Sequence, residues 1–556
     1  MTDLPARIVS AVRRRLAITD ARALASSVAE LAAGVDGPIV LLVDGTTAAV
    51  VPPWLKAFGP DRVHVLAASG PLVPGVRWLS VDGRRAIEDH LALVGTCAVI
   101  VDEVAADPVK QFERWARFGP AVRRGGWYVL RAGPVPLAWQ AEVEESGYDL
   151  DRGLRQEFDA CVPGARKVAG HFLLPKQRRH VLRVGEKTAA TVLPVRSPDL
   201  RVATIAERPA TAQVGKRLVV VSHGSDQPII PPSPFEAPAL VCRWYRGEVE
   251  IRSRLLTLHA DTVLPPSFRH AWAGRLRSPE LKSIGRQFSE VRATPPTLRL
   301  EGDYFDLNAG VSGHFGHVVT ESLGKLWAWD EARSQVPGLK GFYRLPKGAT
   351  GATFEAPLFE AFGIPADQIY WATSDVTVDS YVSATMPWHN AVPFHFHPAV
   401  EGVWRRLRAA MVIPDQVTPE RIFVSRGDGD RQCRNQVEVE AWFARRGFAV
   451  VYPERLPLRD QATLFAGARV VAGFAGSALF SLLYSTHVEK VILLTHTQYS
   501  ARNEWLYAVS AAAELHYFWS EPETKARQGV RWADSFHSAW AFDIARFERE
   551  LEATVT

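Results

Sequence analysis

Residues 421–448 read RIFVSRGDGDRQCRNQVEVEAWFARRGF, and the fold turns on them. Residues 421–425 are short and apolar-centred, as a buried strand is. Arg426 stands at the carboxyl end of that strand, where open α/β sheets bind ligands. The following loop, GDGDRQCR, carries Arg431 and Arg434. Asn435 and Glu438, three residues apart, form a capping-box pattern that starts a helix. Several guanidiniums beside a helix amino terminus suit a diphosphate, because the helix end and the charges both favour an anion. A solvated basic loop is the alternative, and it loses weight because the arginines follow a strand end.

Downstream, residues 458–493 read LRDQATLFAGARVVAGFAGSALFSLLYSTHVEKVIL. A strand over 469–472 runs into the tight turn Gly473-Phe474-Ala475-Gly476-Ser477, then a helix, then a strand over 488–494. The backbone of such a turn can face a phosphate or ribose. Alone, the segment is a generic βαβ crossover.

Upstream, residues 308–330 read NAGVSGHFGHVVTESLGKLWAWD. A glycine-rich loop leads into a helix from about His317 to Trp329. His317 and Glu321 are four apart and share a face, and Lys325 continues it. A carboxylate that orients an imidazole makes a general base. The spacing equally suits an ordinary helix with a surface Glu321–Lys325 pair, and spacing alone favours that reading.

Trp388-His389 and Phe394-His395-Phe396-His397 concentrate imidazoles. His395 and His397 would share one strand face, but no third ligand has metal-site spacing, so no metal is expected. The 17 Trp suit a sugar-stacking cleft as well as a core, and Trp388 is the candidate for the former.

The first ~135 residues alternate short apolar strands (38–44, 62–67, 97–102, 127–131) with helical stretches, which predicts a parallel sheet covered on both faces. Residues 136–235 are less regular and end in the proline-rich run 229–234, a stiff break.

Length and composition set the frame. At 556 residues, about three domains are expected. The chain has 47% hydrophobic and 22% charged residues, as a folded protein does. Its 65 basic and 60 acidic residues give only +5, and they are interleaved, so nucleic acid is not an expected partner. Cys97, Cys161, Cys242 and Cys433 form no CxxC pair, which favours a reducing compartment. The amino-terminal stretch reads as an amphipathic helix without a signal-type core, and no run of ~18 apolar residues occurs, so a cytoplasmic protein is expected. Arg13–Arg15 reads as a solvated helix face. The alternative is peripheral contact with the inner face of the membrane.

In order and spacing, the three segments resemble glycosyltransferase family 61 over residues ~238–519. One family motif has a His on a helix, then an acid and Leu-x-Arg-Leu. His317, Glu321, Leu323 and Leu326 match, with Lys325 at the usual Arg. A second motif is matched by Ser425, Arg426, Arg431, Asn435 and Glu438. Further matches are Gly447-Phe448, then Leu458, Gln461, Phe465 and Ala468, then Asn503, Trp505 and Tyr517. The family's His-Gly-Ala stands here as Ala475-Gly476-Ser477. Residues 97–130 give the amino-terminal region a likeness to class I methyltransferases. Its cofactor turn departs (Asp44-Gly45-Thr46-Thr47, and Ala67-Ala68-Ser69 in place of an acid), so it is read as a degenerate domain.

The resemblance implies an α/β chain of GT-B type, two Rossmann-like lobes preceded by a further Rossmann-like domain. Its segments are 1–135 methyltransferase-like, 136–235 connector, 236–405 acceptor lobe, 406–525 nucleotide-sugar lobe and 526–556 helical. The implied reaction is metal-independent, inverting transfer of a hexosyl or pentosyl group from a nucleotide sugar to a glycan hydroxyl, in bacterial capsular or other surface polysaccharide synthesis. A non-catalytic nucleotide- or sugar-binding scaffold is the alternative. His317 or Glu321 would be the base. Arg426, Arg431, Arg434, Asn435, Gly473, Gly476 and Ser477 would hold the donor. His314, Lys325 and Trp388 would face the acceptor.

Overall fold

The structure is a computed structural model that describes all residues except 1–3, 44–49, 68–76, 81–82, 105–107, 132–151, 214–218, 226–234, 254, 271–275, 277, 285–286, 292–293, 391–393, 428 and 512. The turn at 44–47, residues 68–69, the proline run at 229–234 and the side chains of 13–15 therefore lie outside the described residues. Two compact units form. One comprises Met1–Val202, Gly247–Phe268 and Leu276–Pro296, the other Ala203–Arg246, Arg269–Arg275 and Thr297–Thr556.

The first unit is built on a seven-stranded sheet. From one edge it runs Arg77–Ser80, Val63–Ala67, Ile39–Val43, Cys97–Asp102, Val122–Arg131, His171–Pro175, Arg166–Val168. The first five strands are parallel, and His171–Pro175 runs against both its neighbours. Every residue of Ile39–Val43, Val63–Ala67 and Cys97–Asp102 is buried, as continuous apolar strands between helical layers must be. The sheet takes its last two strands from 166–175, inside the stretch read from sequence as a connector. The opening helix Leu4–Leu31 packs Leu24, Ala25 and Val28 onto the sheet's core. No helix among the described residues is long and apolar enough to cross a membrane.

The second unit carries two Rossmann-like arrangements. In one, Leu298–Asp306 lies between Lys340–Arg344 and Val376–Ala384, with Ile369–Ala372 outside Lys340–Arg344, and all four strands are parallel. The chain leaves Leu298–Asp306 towards one neighbour and later returns on the other side, so a topological switch point lies between Leu298–Asp306 and Val376–Ala384. The other is a six-stranded parallel sheet ordered Val220–His223, Glu514–Ser520, Lys490–His496, Val470–Phe474, Arg421–Val424, Ala449–Val451. Its switch point lies between Arg421–Val424 and Val470–Phe474.

One buried cluster, including Trp329, Trp388, Trp404, Trp505 and Trp519, is shared by both arrangements. The carboxyl-terminal helix Ile544–Val555 covers the other face of the six-stranded sheet. It seats Phe547, Leu551 and Val555 against Phe423, Phe443 and Phe474. Its amino end is capped by the Asp543 carboxylate, which accepts from the Arg546 N–H.

Candidate active site

The loop after Leu298–Asp306 ends at His314, and the helix that follows starts at Phe315. It is not a uniform helix through Trp329. Val318–Ser322 adopts π-helical turns, and Leu326–Ala328 tightens to a 3-10 turn. Single π-turns inside helices re-aim side chains at functional sites.

Glu321 is buried to 2% exposure and sits at the centre of this element. It accepts from His317 Nδ1 at 2.6 Å, from Arg269 Nε at 2.7 Å and from the Gly310 N–H at 2.6 Å. Burial alone would raise its pKa. Arg269, His317 and Gly310 overcome that and hold the carboxyl far below the usual carboxylate range. As a permanent anion, Glu321 can only accept. His317 Nδ1 therefore carries the donated proton, which in the neutral ring leaves the lone pair on Nε2. The His314 ring stands edge-on to His317 at 5.0 Å. Burial, with His317 and Arg431 nearby, lowers the His314 pKa and favours its neutral form.

Lys325 does not continue an exposed face. It is 3% exposed, and its Nζ donates to Asp306 Oδ2 at 2.7 Å and to the Asn308 carbonyl at 2.8 Å. Its charge anchors the loop to the strand end instead of facing an acceptor. Glu321 and Lys325 are thus both internal, and the surface pair that spacing favoured is absent.

Across from this helix, at the switch point of the six-stranded sheet, Arg426 follows Arg421–Val424. Its pKa is lowered to about 10 by burial and then by Arg431. Arg431 occupies the left-handed region (φ 58°). Such a conformation costs about 1–3 kcal/mol and persists only where the surroundings impose it. Here the Arg431 N–H donates to the His537 carbonyl at 3.1 Å, and its carbonyl accepts from Trp540 Nε1 at 3.0 Å. The guanidinium lies between the rings of Tyr499 (5.0 Å) and Phe536 (5.2 Å). Its Nε is buried without a hydrogen-bond partner. Among the described residues, neither Arg426 nor Arg431 has a carboxylate partner for its guanidinium.

The glycine turn meets them. A Cβ on Gly476 would stand 3.1 Å from Arg431 Nη2 and 3.7 Å from Arg426 Nη1, so both guanidiniums converge on this residue. The Gly476 N–H is engaged, donating to Glu504 Oε1 at 2.7 Å. Glu504 also accepts from the Tyr499 hydroxyl at 2.9 Å, and burial raises its pKa. Ser477 opens a 3-10 helix, Ser477–Tyr484, and a Cβ on Gly316 would lie 3.0 Å from the Ser477 Cβ. The helix start beside His317 and the glycine turn are therefore in direct contact.

Not every expected donor residue joins this pocket. Arg434 is exposed and forks onto Glu523 at 2.7 and 2.9 Å, away from it. Asn435 caps no helix through its side chain. It staples residue 542, donating to the Phe542 carbonyl (2.8 Å) and accepting from its N–H (2.9 Å). Gly473 is required by packing, since a Cβ there would meet the Val424 carbonyl at 2.4 Å. Trp388 is a core residue, 3% exposed, packed on Tyr507 and Trp404 and donating to Asn503 Oδ1 at 2.7 Å. His395 pairs with His389, and His397 bonds the Pro209 carbonyl at 2.9 Å. No group of three or more metal-ligating side chains is found among the described residues.

Sequence reading missed Arg269, Tyr499, Glu504 and Phe536. Only Glu504 left a signal, a lone acid between Asn503 and Trp505 at a helix start.

The fold is an α/β chain with Rossmann-like sheets, and at the switch point of the six-stranded sheet two guanidiniums converge on a glycine turn. Residues 315–492 match the family model described as Glycosyltransferase 61, a span that includes His317, Glu321, Arg426, Arg431 and Gly476. A search of curated proteins finds no match. Among solved structures, the MycE methyltransferase of the mycinamycin biosynthetic pathway, in complex with Mg, SAH and mycinamycin VI, is 18% identical with a TM-score of 0.19. That likeness covers 26% of this chain and 42% of that one, so the chain spans less than half of the MycE length. An S-adenosyl-L-methionine methyltransferase from Silicibacter pomeroyi DSS-3 is 14% identical with a TM-score of 0.20, covering 31% of this chain and 98% of that one.

Proposed function

We propose that the second unit is an inverting glycosyltransferase of GT-B type. It moves a hexosyl or pentosyl group from a nucleotide sugar to a glycan hydroxyl. The observation that carries this reading is the convergence of the Arg426 and Arg431 guanidiniums, without carboxylate partners among the described residues, on Gly476 at a switch point. A diphosphate there would accept bidentate hydrogen bonds and supply the missing counter-charge. His317 Nε2, kept basic-side out by Glu321, would take the acceptor hydroxyl's proton as the new glycosidic bond forms. The nucleoside diphosphate leaves with its charge held by the two arginines. The family match over residues 315–492 supports the same reaction class.

The reading extends to a metal-independent enzyme of bacterial surface-polysaccharide synthesis working on the cytoplasmic side of the membrane. Its first unit would be a structural domain without methyl transfer. In that unit the strand-end carboxylate Asp102 is buried and already bonded to Arg114 at 2.6 Å and Tyr128 at 3.2 Å, which leaves it little to offer a cofactor.

The test is release of nucleoside diphosphate from a panel of nucleotide sugars with glycan acceptors, with and without a chelator. Turnover that survives chelation and falls about 10²-fold or more in Arg426→Ala supports the reading. Turnover undiminished in Arg426→Ala overturns the diphosphate assignment. A second reading, a nucleotide- or sugar-binding scaffold, rests on the buried Ala475 where the family resemblance places a His. Nucleotide binding with no turnover on any donor would select it.

A further inference from the structure

The first unit holds a cavity that neither the glycosyltransferase reading nor a methyltransferase-like fold uses. It lies at the amino ends of the parallel strands. Gly34 precedes Ile39–Val43, and Arg123 and Arg124 open Val122–Arg131. Open α/β sheets bind their usual ligands at the opposite, carboxyl ends. The cavity has a volume of about 280 Å³ and is open to solvent, with Arg179, His180 and Asp261 completing its wall.

Its charges do not balance. Among the described residues, Asp261 is the one carboxylate lining it. Arg179 Nε donates to Asp261 Oδ1 at 2.9 Å and Arg179 Nη2 to the Ala260 carbonyl at 2.5 Å, so that arginine is committed. The Thr96 hydroxyl approaches Asp261 Oδ2 at 3.4 Å. Arg123 reaches only the Thr96 hydroxyl, at 3.4 Å, and Arg124 has no partner among the described residues. Behind them Arg196, within electrostatic range of Arg123 and Asp261, has both terminal nitrogens out of solvent contact and without a hydrogen-bond partner. His180 adds no charge, because burial, Lys176, Arg178 and Lys282 hold its pKa well below the usual imidazole value. The opposite rim is fixed, since Arg62 donates to the Val35 and Gly37 carbonyls at 3.0 and 2.9 Å.

Arg196 is withdrawn from water without a counter-charge, which is costly, while half-buried Arg123 and exposed Arg124 present their guanidiniums to the cavity without a carboxylate among the described residues. The arrangement calls for an anion with several acceptor oxygens, and planar guanidiniums match phosphate oxygens two at a time. The volume leaves room for the group that carries the phosphate. We propose that this cavity binds a small molecule through its phosphate or diphosphate, with Arg123 and Arg124 as the contacting residues and Asp261 holding Arg179 in place.

Calorimetric titration of the full chain with inorganic pyrophosphate tests it. In the Arg426→Ala/Arg431→Ala background, which silences the other cationic pocket, one equivalent is expected to bind. Adding Arg124→Glu should weaken that binding roughly tenfold or more, because a charge-assisted contact becomes a repulsion. Arg124 is exposed, so the melting temperature without ligand should not move. If the background pair does not fold, the same count is made in the otherwise unaltered chain, which should bind two equivalents and lose one on Arg124→Glu. Absence of pyrophosphate binding in the folded background overturns the proposal. So does binding that neither Arg124→Glu nor Arg123→Gln reduces.

Discussion

His317 Nδ1 lies 2.6 Å from Glu321 Oε1, one turn further along an interrupted helix. The bond makes Nδ1 the donor, so in the neutral ring Nε2 is the nitrogen that accepts. His317→Ala should therefore lower kcat with a nucleotide-sugar donor by about 10²–10⁴-fold, as loss of a general base does, with a smaller change in donor Kd. Unchanged kcat in a folded His317→Ala chain removes His317 from the chemistry.

The same carboxylate makes the unit acid-sensitive. Glu321 has a folded pKa depressed below its ordinary 4.5. Its stabilising contribution is thus complete above the unfolded value and is lost as pH falls towards the folded one. Thermal melts from pH 6 downwards should show Tm falling more steeply in the native chain than in Glu321→Gln below about pH 4.5. Parallel curves would show that Glu321 is not held as an anion.

Arg426 and Arg431 put two cations side by side in a half-buried pocket, an arrangement that favours a ligand and works against the empty protein. Arg426→Met should leave the ligand-free Tm unchanged or higher while cutting turnover about 10²-fold or more. Differential scanning fluorimetry beside a product-release assay separates the two effects. A loss of both stability and turnover would mark Arg426 as a structural residue.

The strand-end arginine, the glycine turn and the His317–Glu321 spacing were legible in the sequence because they are local, whereas the switch points depend on strand order and were not. Strand-end Arg426, the glycine turn and an i,i+4 pair each sit within a few residues of the element that positions them. Burial and distant partners were not. Lys325 has the right helical phase for an exposed face, yet Asp306 captures it, and nothing in the spacing of 317, 321 and 325 reveals a carboxylate nineteen positions earlier. Arg434 lies three residues from Arg431 but is drawn to Glu523. Arg269, Tyr499, Glu504 and Phe536 reach the pocket from remote segments, and only tertiary folding makes them neighbours.

The contact between the two halves of the pocket gives a steric test. A methyl group on Gly316 would meet Phe480 Cε2 at 2.8 Å and the Ser477 Cβ at 3.0 Å. Gly316→Ala must therefore push the helix start bearing His317 away from the glycine turn, at a cost of about 1–3 kcal/mol. On Gly476 the nearest atom is Arg431 Nη2, the far end of a flexible side chain, but the backbone stands at φ 151°, where only glycine is unstrained, so Gly476→Ala should also cost about 1–3 kcal/mol and should in addition weaken nucleotide diphosphate binding. Melts should show both variants destabilised, and calorimetry should show the larger loss of affinity in Gly476→Ala. Affinity reduced no more in Gly476→Ala than in Gly316→Ala would mean that Gly476 is not where the ligand sits.

Glu504 underlies that turn, and its role is separable by two substitutions. It accepts from the Gly476 N–H and the Tyr499 hydroxyl in a site where burial raises its pKa. For an acid with a raised folded pKa, ionisation works against the fold as pH rises from its ordinary 4.5 towards the folded value. Glu504→Gln keeps an acceptor for Gly476 and removes the titration. It should hold Tm at neutral pH and flatten the decline just above pH 4.5. Glu504→Ala strands a buried N–H and should cost about 1–3 kcal/mol. Because Tyr499 also lies under the Arg431 guanidinium, Glu504→Ala should loosen Arg431 and raise the Kd for nucleoside diphosphate, while Glu504→Gln leaves it near the native value. Equal damage from both substitutions would show that the charge of Glu504, and not its acceptor geometry, holds the turn.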